Sequence, residues 1–565
     1  MGVETSGRSP RTLLALASTA VALAAADTYV VVLALTDMMN GVGLGLDNLQ
    51  RAAPIISGFL LGYIAVLPLI GRLADVIPRS RILLACLAVF VVGSGITALA
   101  VDLDVLVAGR VVQGIGGGGL VPATLALVAD LWPPGRRGMP LGVVGAVQEL
   151  GSVLGPLLGA AVLVVADWRA IFWLNVVLGI LLALAIATAA RGPKGTERRR
   201  PPVVPALLGV VGVGLLWLTL AAPRRLATDV YLGLPFVPFV GDSRLLTPVG
   251  LLTGLMLLAA LSLTGPTWWP PLRASDLPGA VLLGTSLGCI VLTFSSADPE
   301  KEVVGPLGYA LLPVALVTLL LYLWRHRTAA APLVPRGTVR GRTGWALAIS
   351  LLVGVALVAV VVDVPLFSRL TTSGSQTDAA MELVKFLIAV PAGALLGGFV
   401  LRWVGDGLAA GTGLLLASGG LVLMSGWDRG SLDEFASTLT LALVGLGLGM
   451  ALAPVNDSAL ADAPQDAHGT ASSLVVVARM VGMVVGLALL TGVGLNRYYA
   501  AVEALPRDQQ TSGAALLDAA LLQVHTVFIG AAGAALLGAV LAFAFLGLAR
   551  REGSGSLARG FGFEE

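Results

Sequence analysis

Asp27, Arg110, Glu149 and Arg479 each interrupt an apolar run: AAADTYVVVLAL, VLVAGRVVQGIGGGG, GAVQELGSVLGP and SSLVVVARMVGMVVG. A charge at the centre of a membrane span costs at least ~2.5–3.5 kcal/mol on insertion scales, so such a residue faces a cavity or a partner. Acids and bases at that depth suit one kind of chemistry. A carboxyl without a fixed counter-ion in low dielectric can titrate near physiological pH, and an arginine in reach stabilises its deprotonated form. Asp27, Glu149, Arg110 and Arg479 are therefore candidates for proton coupling, with no catalytic role. An interfacial or helix-capping place is the competing reading for Asp27. For Arg479 the candidate anions are Asp27 and Glu149, and spacing does not choose between them. Replacing Asp27 with Asn is expected to abolish gradient-driven transport and leave folding intact. A membrane-embedded enzyme would need a nucleophile–base pair or a metal cluster at depth, and none is found. His326, His468 and His525 have no ligand spacing, and Cys86 and Cys289 sit in apolar runs as inert thiols, so no metal and no cofactor is expected.

Those side chains must be positioned by helices that cross a bilayer. Charged residues are 12% and hydrophobic residues 57% of the 565-residue chain, against ~25% and ~45–50% in ordinary soluble domains. The mean hydropathy is +0.92, which defines an all-α polytopic membrane protein. A net charge of +2 is too small for a nucleic-acid binder. The polar start MGVETSGRSPR leads into a run too long for a signal-peptide core, so it reads as a retained first span at about 12–36.

Spans two and three are joined by GRLADVIPRSR. Gly71 permits close helix approach, Asp75 can cap a helix end or pair with a base, and Arg79 and Arg81 hold the turn inside the cell. In span four Arg110 and Gln113, three apart, share a helix face. Gly114, Gly116 and Gly117 follow and allow another helix close. A dinucleotide loop is the other reading of GIGGGG, but such a loop follows a strand and opens a soluble βαβ unit. In span five Gly151, Gly155, Pro156 and Gly159 put small residues on one face beside a proline that loosens the backbone ladder. Packing alone would explain these glycines; it does not require Glu149, next to Gln148.

Asp27 in span one, the G-R-L-A-D turn, L-x-x-x-R-x-x-Q-G in span four, G-x-x-x-G-P-x-x-G in span five and DWRAIFWLNV entering span six together resemble the major facilitator superfamily, in its fourteen-helix drug:proton antiporter branch. DTYVVV, Gln148-Glu149 before LGSVLGP, and VVVARMVGM are similar to the mycobacterial triacylglyceride exporters of that superfamily. The turn after span two departs from the family pattern at Val76 and Pro78. The resemblance implies a major facilitator fold of two six-helix halves rocking about a central cavity. It also implies a lipid or amphipathic small-molecule substrate exchanged against protons, and a periplasmic lipid-carrying lipoprotein as partner. Multidrug efflux of drugs and dyes is the alternative activity; few aromatics fall in the first six spans, which favours lipid.

The expected organisation is a cytoplasmic start at 1–11, a six-helix half at 12–190, an inserted linker at 191–343, a second six-helix half at 344–549 and a cytoplasmic tail at 550–565. The insert contains two to four membrane segments, for 14 to 16 in all. Residues 203–265 are either an additional hairpin or re-entrant helices, because two or four spans return the chain to the same side. GGFVLRWVGD in the second half stands where GRLAD stands in the first. Asp363 is expected near an outer helix end, and Glu382 and Lys385 could pair. The excess of Lys and Arg in the loops assigned inside places both termini in the cytoplasm and the protein in the inner membrane.

Overall fold

The computed structural model describes residues 10–44, 49–190, 203–222, 234–239, 244–295, 308–371, 376–506 and 512–547. The tail expected at 550–565, nearly all of the segment at 1–11 and the basic linker RGPKGTERRRPP lie outside the described residues. Sixteen long helices make up most of what is described, and no strand occurs among the described residues.

The first six helices are α1 (Pro10–Gly41), α2 (Leu49–Val76), α3 (Arg79–Leu99), α4 (Leu103–Leu131), α5 (Gly138–Val165) and α6 (Arg169–Ala189). Four follow in the insert: α7 (Val203–Ala221), α8 (Pro248–Ala274), α9 (Leu277–Ser295) and α10 (Gly308–Thr328). The last six are α11 (Gly341–Thr371), α12 (Gln376–Val404), α13 (Asp406–Met424), α14 (Phe435–Ala461), α15 (His468–Ala504) and α16 (Gly513–Leu541). Fourteen of these, α2 to α6 and α8 to α16, are long and apolar enough to cross a membrane; α7 contributes the shorter apolar stretch Leu207–Ala221. The fold is that of an all-α polytopic membrane protein.

The helix boundaries have local causes. Asp102 caps α4 by accepting from the Val105 N–H at 2.9 Å, and Thr247 caps α8 by accepting from the Gly250 N–H at 3.1 Å. Gly135 in WPPGRRG and Gly405 before α13 take φ of +83° and +82°, a region glycine enters without a Cβ penalty.

Because the helices are apolar nearly all round, amphipathic periodicity cannot say which face meets which. Glycine does that work instead. A methyl at Gly151, Gly155 or Gly159 of α5 would lie 2.4 Å, 2.3 Å and 2.5 Å from Ala22 O, Ala26 O and Val30 Cγ2 of α1. The last six helices repeat the construction: a methyl at Gly482 of α15 would lie 2.0 Å from Leu351 O of α11. Likewise Gly114 of α4 abuts Phe59 O of α2, and Gly449 of α14 abuts Val390 O of α12, each at 2.1 Å from the missing methyl. These contacts are the small-residue packing that replaces hydrophobic driving force inside lipid.

The insert lies outside these two sets. Helices α7 and α8 are continuous and pack on each other, α10 packs on α9, and α9 lies against α2. Between α8 and α9, Asp276 adopts φ +51°. Its buried carboxylate accepts from Arg325 Nε at 2.7 Å and the Leu333 N–H at 3.1 Å, tying the insert to the segment that enters α11.

Candidate functional site

Asp27 is buried and fully engaged. Its Oδ2 accepts from Arg110 Nη1 at 2.5 Å, and its Oδ1 accepts from Gln113 Nε2 at 2.8 Å and from Asn175 Nδ2 at 2.5 Å. Gln113 in turn accepts from Arg110 Nη1 at 2.6 Å and donates to Ser94 Oγ at 2.9 Å. Arg110 reaches further with Nε to Ile55 O at 3.2 Å, and its guanidinium lies 4.5 Å from the Phe59 ring centroid. The network joins α1, α2, α3, α4 and α6 through side chains that are at most 6% exposed. Burying a carboxylate and a guanidinium in this way is tolerable only because both are paired and hydrogen-bonded.

Spacing on α4 already placed Arg110 and Gln113 on one face; the structure adds Asp27 from α1 and two residues that sequence reasoning missed, Asn175 and Ser94. Asn175 had a signal, a lone amide inside the apolar stretch of DWRAIFWLNV. Ser94 had none, since serine is common in such helices through hydrogen bonds to its own backbone, as Ser94 Oγ also makes to Phe90 O.

Glu149 and Arg479 form a second site. Both are 8% exposed and both line a cavity of about 90 Å³ between the two helix sets, with Phe59, Tyr63, Leu357 and Met483 among its walls. The only hydrogen bond of Glu149 among the described residues is a long one from the adjacent Gln148 amide, 3.4 Å. Of the two anions open to Arg479, Glu149 lines the same cavity, while Asp27 is bonded to Arg110. Asp363 is 2% exposed, with Oδ2 lacking a hydrogen-bond partner among the described residues, so it is buried within the protein. Glu382 and Lys385 pair at 2.7 Å. Among the described residues no three His, Cys, Asp or Glu side chains converge on a metal position.

The turn between α2 and α3 reaches across to the other set. Asp75 accepts from the Gly469 N–H at 2.6 Å, the Thr470 N–H at 3.0 Å and Thr470 Oγ1 at 2.6 Å, so a carboxylate caps the start of α15. Gly71 makes this approach possible: a methyl there would lie 2.1 Å from Ser473 Oγ. Arg79 lies 3.7 Å from Asp75 and 3.2 Å from Asp130 at the end of α4. Arg81 is exposed and takes no part.

A second seam on the same face, here termed the hairpin face, joins the start of α5 to the end of α12. A methyl at Gly138 would meet Leu401 Cδ2 at 2.7 Å and Gly398 O at 2.8 Å. Asp406, the counterpart of Asp75, pairs instead with Arg342 at the start of α11, within its own set. Both seams hold the two sets together on the hairpin face in this conformation.

Fourteen apolar spans, buried ion pairs and a charged cavity between two like-built helix sets define a transporter rather than an enzyme. The chain belongs to the Major Facilitator Superfamily, whose family model matches residues 17–299. Among its relatives, a triacylglyceride transporter of Mycolicibacterium hassiacum is 36% identical over 561 residues, covering 94% of this chain and 91% of the relative. A triacylglyceride transporter of Mycobacterium tuberculosis is 35% identical, covering 86% and 83%. Among solved structures, the human organic anion transporter MFSD10 (TETRAN) aligns over 94% of this chain and 99% of its own, with TM-score 0.52 and 17% identity. The proton:xylose symporter XylE aligns over 95% and 96%, with TM-score 0.56 and 12% identity. At those identities the two structures bear on the fold alone.

Proposed function

We propose that the chain is a proton-coupled exporter of lipid of the triacylglyceride class, working by alternating access in the inner membrane with both termini cytoplasmic. The observation that carries this reading is the presence of Glu149 and Arg479, an acid and a base from opposite helix sets, in the lining of one cavity, in a chain more than a third identical to proteins named triacylglyceride transporters. Residues 12–190 and 344–549 are the two bodies that move, and 191–343 accompanies them. On this reading the hairpin face is cytoplasmic, and the described conformation is closed there.

In the proposed cycle a proton from outer water binds a Glu149 carboxylate oxygen and removes the attraction to Arg479 across the cavity. The sets then re-orient, and Glu149 returns the proton to cytoplasmic water as Arg479 regains its counter-charge. Asp27, with three donors already on it, positions α1 against α4 and α6 rather than carrying the proton. The clamp of Gly71 and Asp75 on α15 reports which face is closed. The apolar walls of the cavity, such as Phe59, Leu357 and Met483, suit an acyl chain. A periplasmic lipid-carrying lipoprotein is the proposed acceptor. The 37-residue α15 is roughly 55 Å long at 1.5 Å per residue, longer than a bilayer core, and offers such an acceptor a projection on the outer side.

Liposomes holding the purified chain, loaded with labelled triacylglyceride and given an imposed pH gradient, test the proposal beside ethidium as competitor. Gradient-dependent lipid movement, lost in Glu149→Gln, is the expected result. Ethidium movement without lipid movement would establish a multidrug/proton antiporter exporting amphipathic drugs and dyes instead.

A further inference from the structure

One arginine at the hairpin face is held in place yet has no anion beside it among the described residues. Arg402, in the last turn of α12, has its guanidinium 3.9 Å from the Trp403 ring centroid and 4.3 Å from that of Phe399. The two rings meet edge to face at 4.5 Å. Arg402 makes no hydrogen bond or ion pair among the described residues. The nearest acid in sequence, Asp406, is committed to Arg342.

The surroundings say what the guanidinium meets. Leu395, Leu396, Phe399 and Trp403 are 38%, 38%, 43% and 60% exposed, and in a membrane span such a stripe faces acyl chains. It ends in an exposed tryptophan beside an arginine, the composition of a membrane–water interface. Stacking on aromatic faces fixes the guanidinium plane and leaves its N–H edge free, and that planar fork matches phosphate geometry where an ammonium does not. Phosphate is the anion that a bilayer supplies at that depth. On the opposite side of the same turn, Gly398 and Leu401 press on Gly138 of α5, and Arg136, two residues before Gly138, adds a second exposed cation.

We propose that Arg402, seated on Phe399 and Trp403, binds the phosphate of an anionic phospholipid at the hairpin-face end of the α5/α12 seam. The lipid is a bound component of the bilayer, distinct from the transported cargo, and the site does not depend on which substrate is exported. A headgroup there touches α12 beside its contact with α5, so it favours the conformation in which this seam is closed.

Native mass spectrometry of the purified full-length chain, titrated with phosphatidylglycerol, tests the site. Loss of a charge-assisted pair predicts phosphatidylglycerol binding about tenfold weaker in Arg402→Gln. Arg402→Lys, which keeps the charge and loses the fork, and Trp403→Leu, which keeps the charge and loses the stack, are each expected to bind more weakly than the wild type. Binding of diacylglycerol, an uncharged lipid without phosphate, is expected to be equal in all four proteins. Arg402 lies at the surface, so all variants should melt with the wild type; if Arg402→Gln does not fold, Arg402→Lys and Trp403→Leu carry the test. Equal phosphatidylglycerol binding in the folded variants and the wild type would overturn the proposal. Displacement of the lipid by inorganic phosphate would also overturn it, by making this a free-anion site.

Discussion

Glu149 and Arg479 stand eleven residues after the first residue of α5 and α15, Gly138 and His468, and look into the same cavity from opposite helix sets. An acid on one fifth helix and a base at the corresponding position of the other thus line one cavity.

Neutralising that acid should uncouple without unfolding. Glu149→Gln is expected to abolish gradient-dependent flux in liposomes. Its thermal unfolding should stay closer to wild type than that of Asp27→Asn, because among the described residues Glu149 has one long hydrogen bond and no contact ion pair to lose, whereas Asp27 is in direct contact with Arg110. Flux that still follows the pH gradient in this variant would remove Glu149 from the coupling step.

Asp27→Asn should behave differently, because Asp27 holds an ion pair and two further hydrogen bonds. The substitution leaves Arg110 buried without its counter-charge, at a cost of about 3–5 kcal/mol. Asn175→Leu removes one donor from a carboxylate that keeps two others, and should cost about 1–3 kcal/mol. Thermal unfolding in one detergent should rank the wild type above Asn175→Leu and Asn175→Leu above Asp27→Asn; the reverse order would mean that the network is not what holds α1.

The Asp75 clamp predicts a local change. Two backbone amides, Gly469 and Thr470, donate to Asp75, and Asp75→Ala frees both. Hydrogen exchange at these amides should accelerate by about tenfold or more, since each loses a charge-assisted bond, while exchange in the middle of α4 stays unchanged. Unaltered exchange at Gly469 and Thr470 would show that the clamp does not hold the start of α15.

Gly155 tests how closely α1 and α5 must approach. Gly155→Leu drives a side chain into Ala26 O, next to Asp27, and overpacking of this kind costs about 1–3 kcal/mol. Loss of both melting temperature and transport is expected, and Gly155→Ala should show the same signs more weakly. A Gly155→Leu protein with wild-type flux would mean that α1 and α5 separate without consequence.

What the sequence made legible follows from membrane physics. Length and apolarity identify helices, and a charge at depth marks itself, so Asp27, Arg110, Glu149 and Arg479 stood out before any contact was known. Gly71, Asp75, Gly151 and Gly155 were legible as close-approach and capping residues because few other types can do that work. Partners were not legible. Helices that are apolar all round carry no face label, so nothing in the spacing assigned Arg479 to Glu149, or joined Asn175 to Asp27 across 148 positions. The α7–α8 pair was ambiguous for a different reason: an even number of added spans leaves every downstream charge on the same side of the membrane.

The two seams on the hairpin face share a shape and differ in chemistry. One is fastened by a carboxylate on a helix start; in the other, glycine lies against glycine, and the corresponding acid, Asp406, is paired with Arg342. A twofold scaffold with a buckle on one side only is a hinge with a preferred order of opening. In a rocking cycle of the kind proposed, the unbuckled α5/α12 edge parts first and α2/α15 serves as the pivot, so the path into the cavity begins on one flank of the molecule.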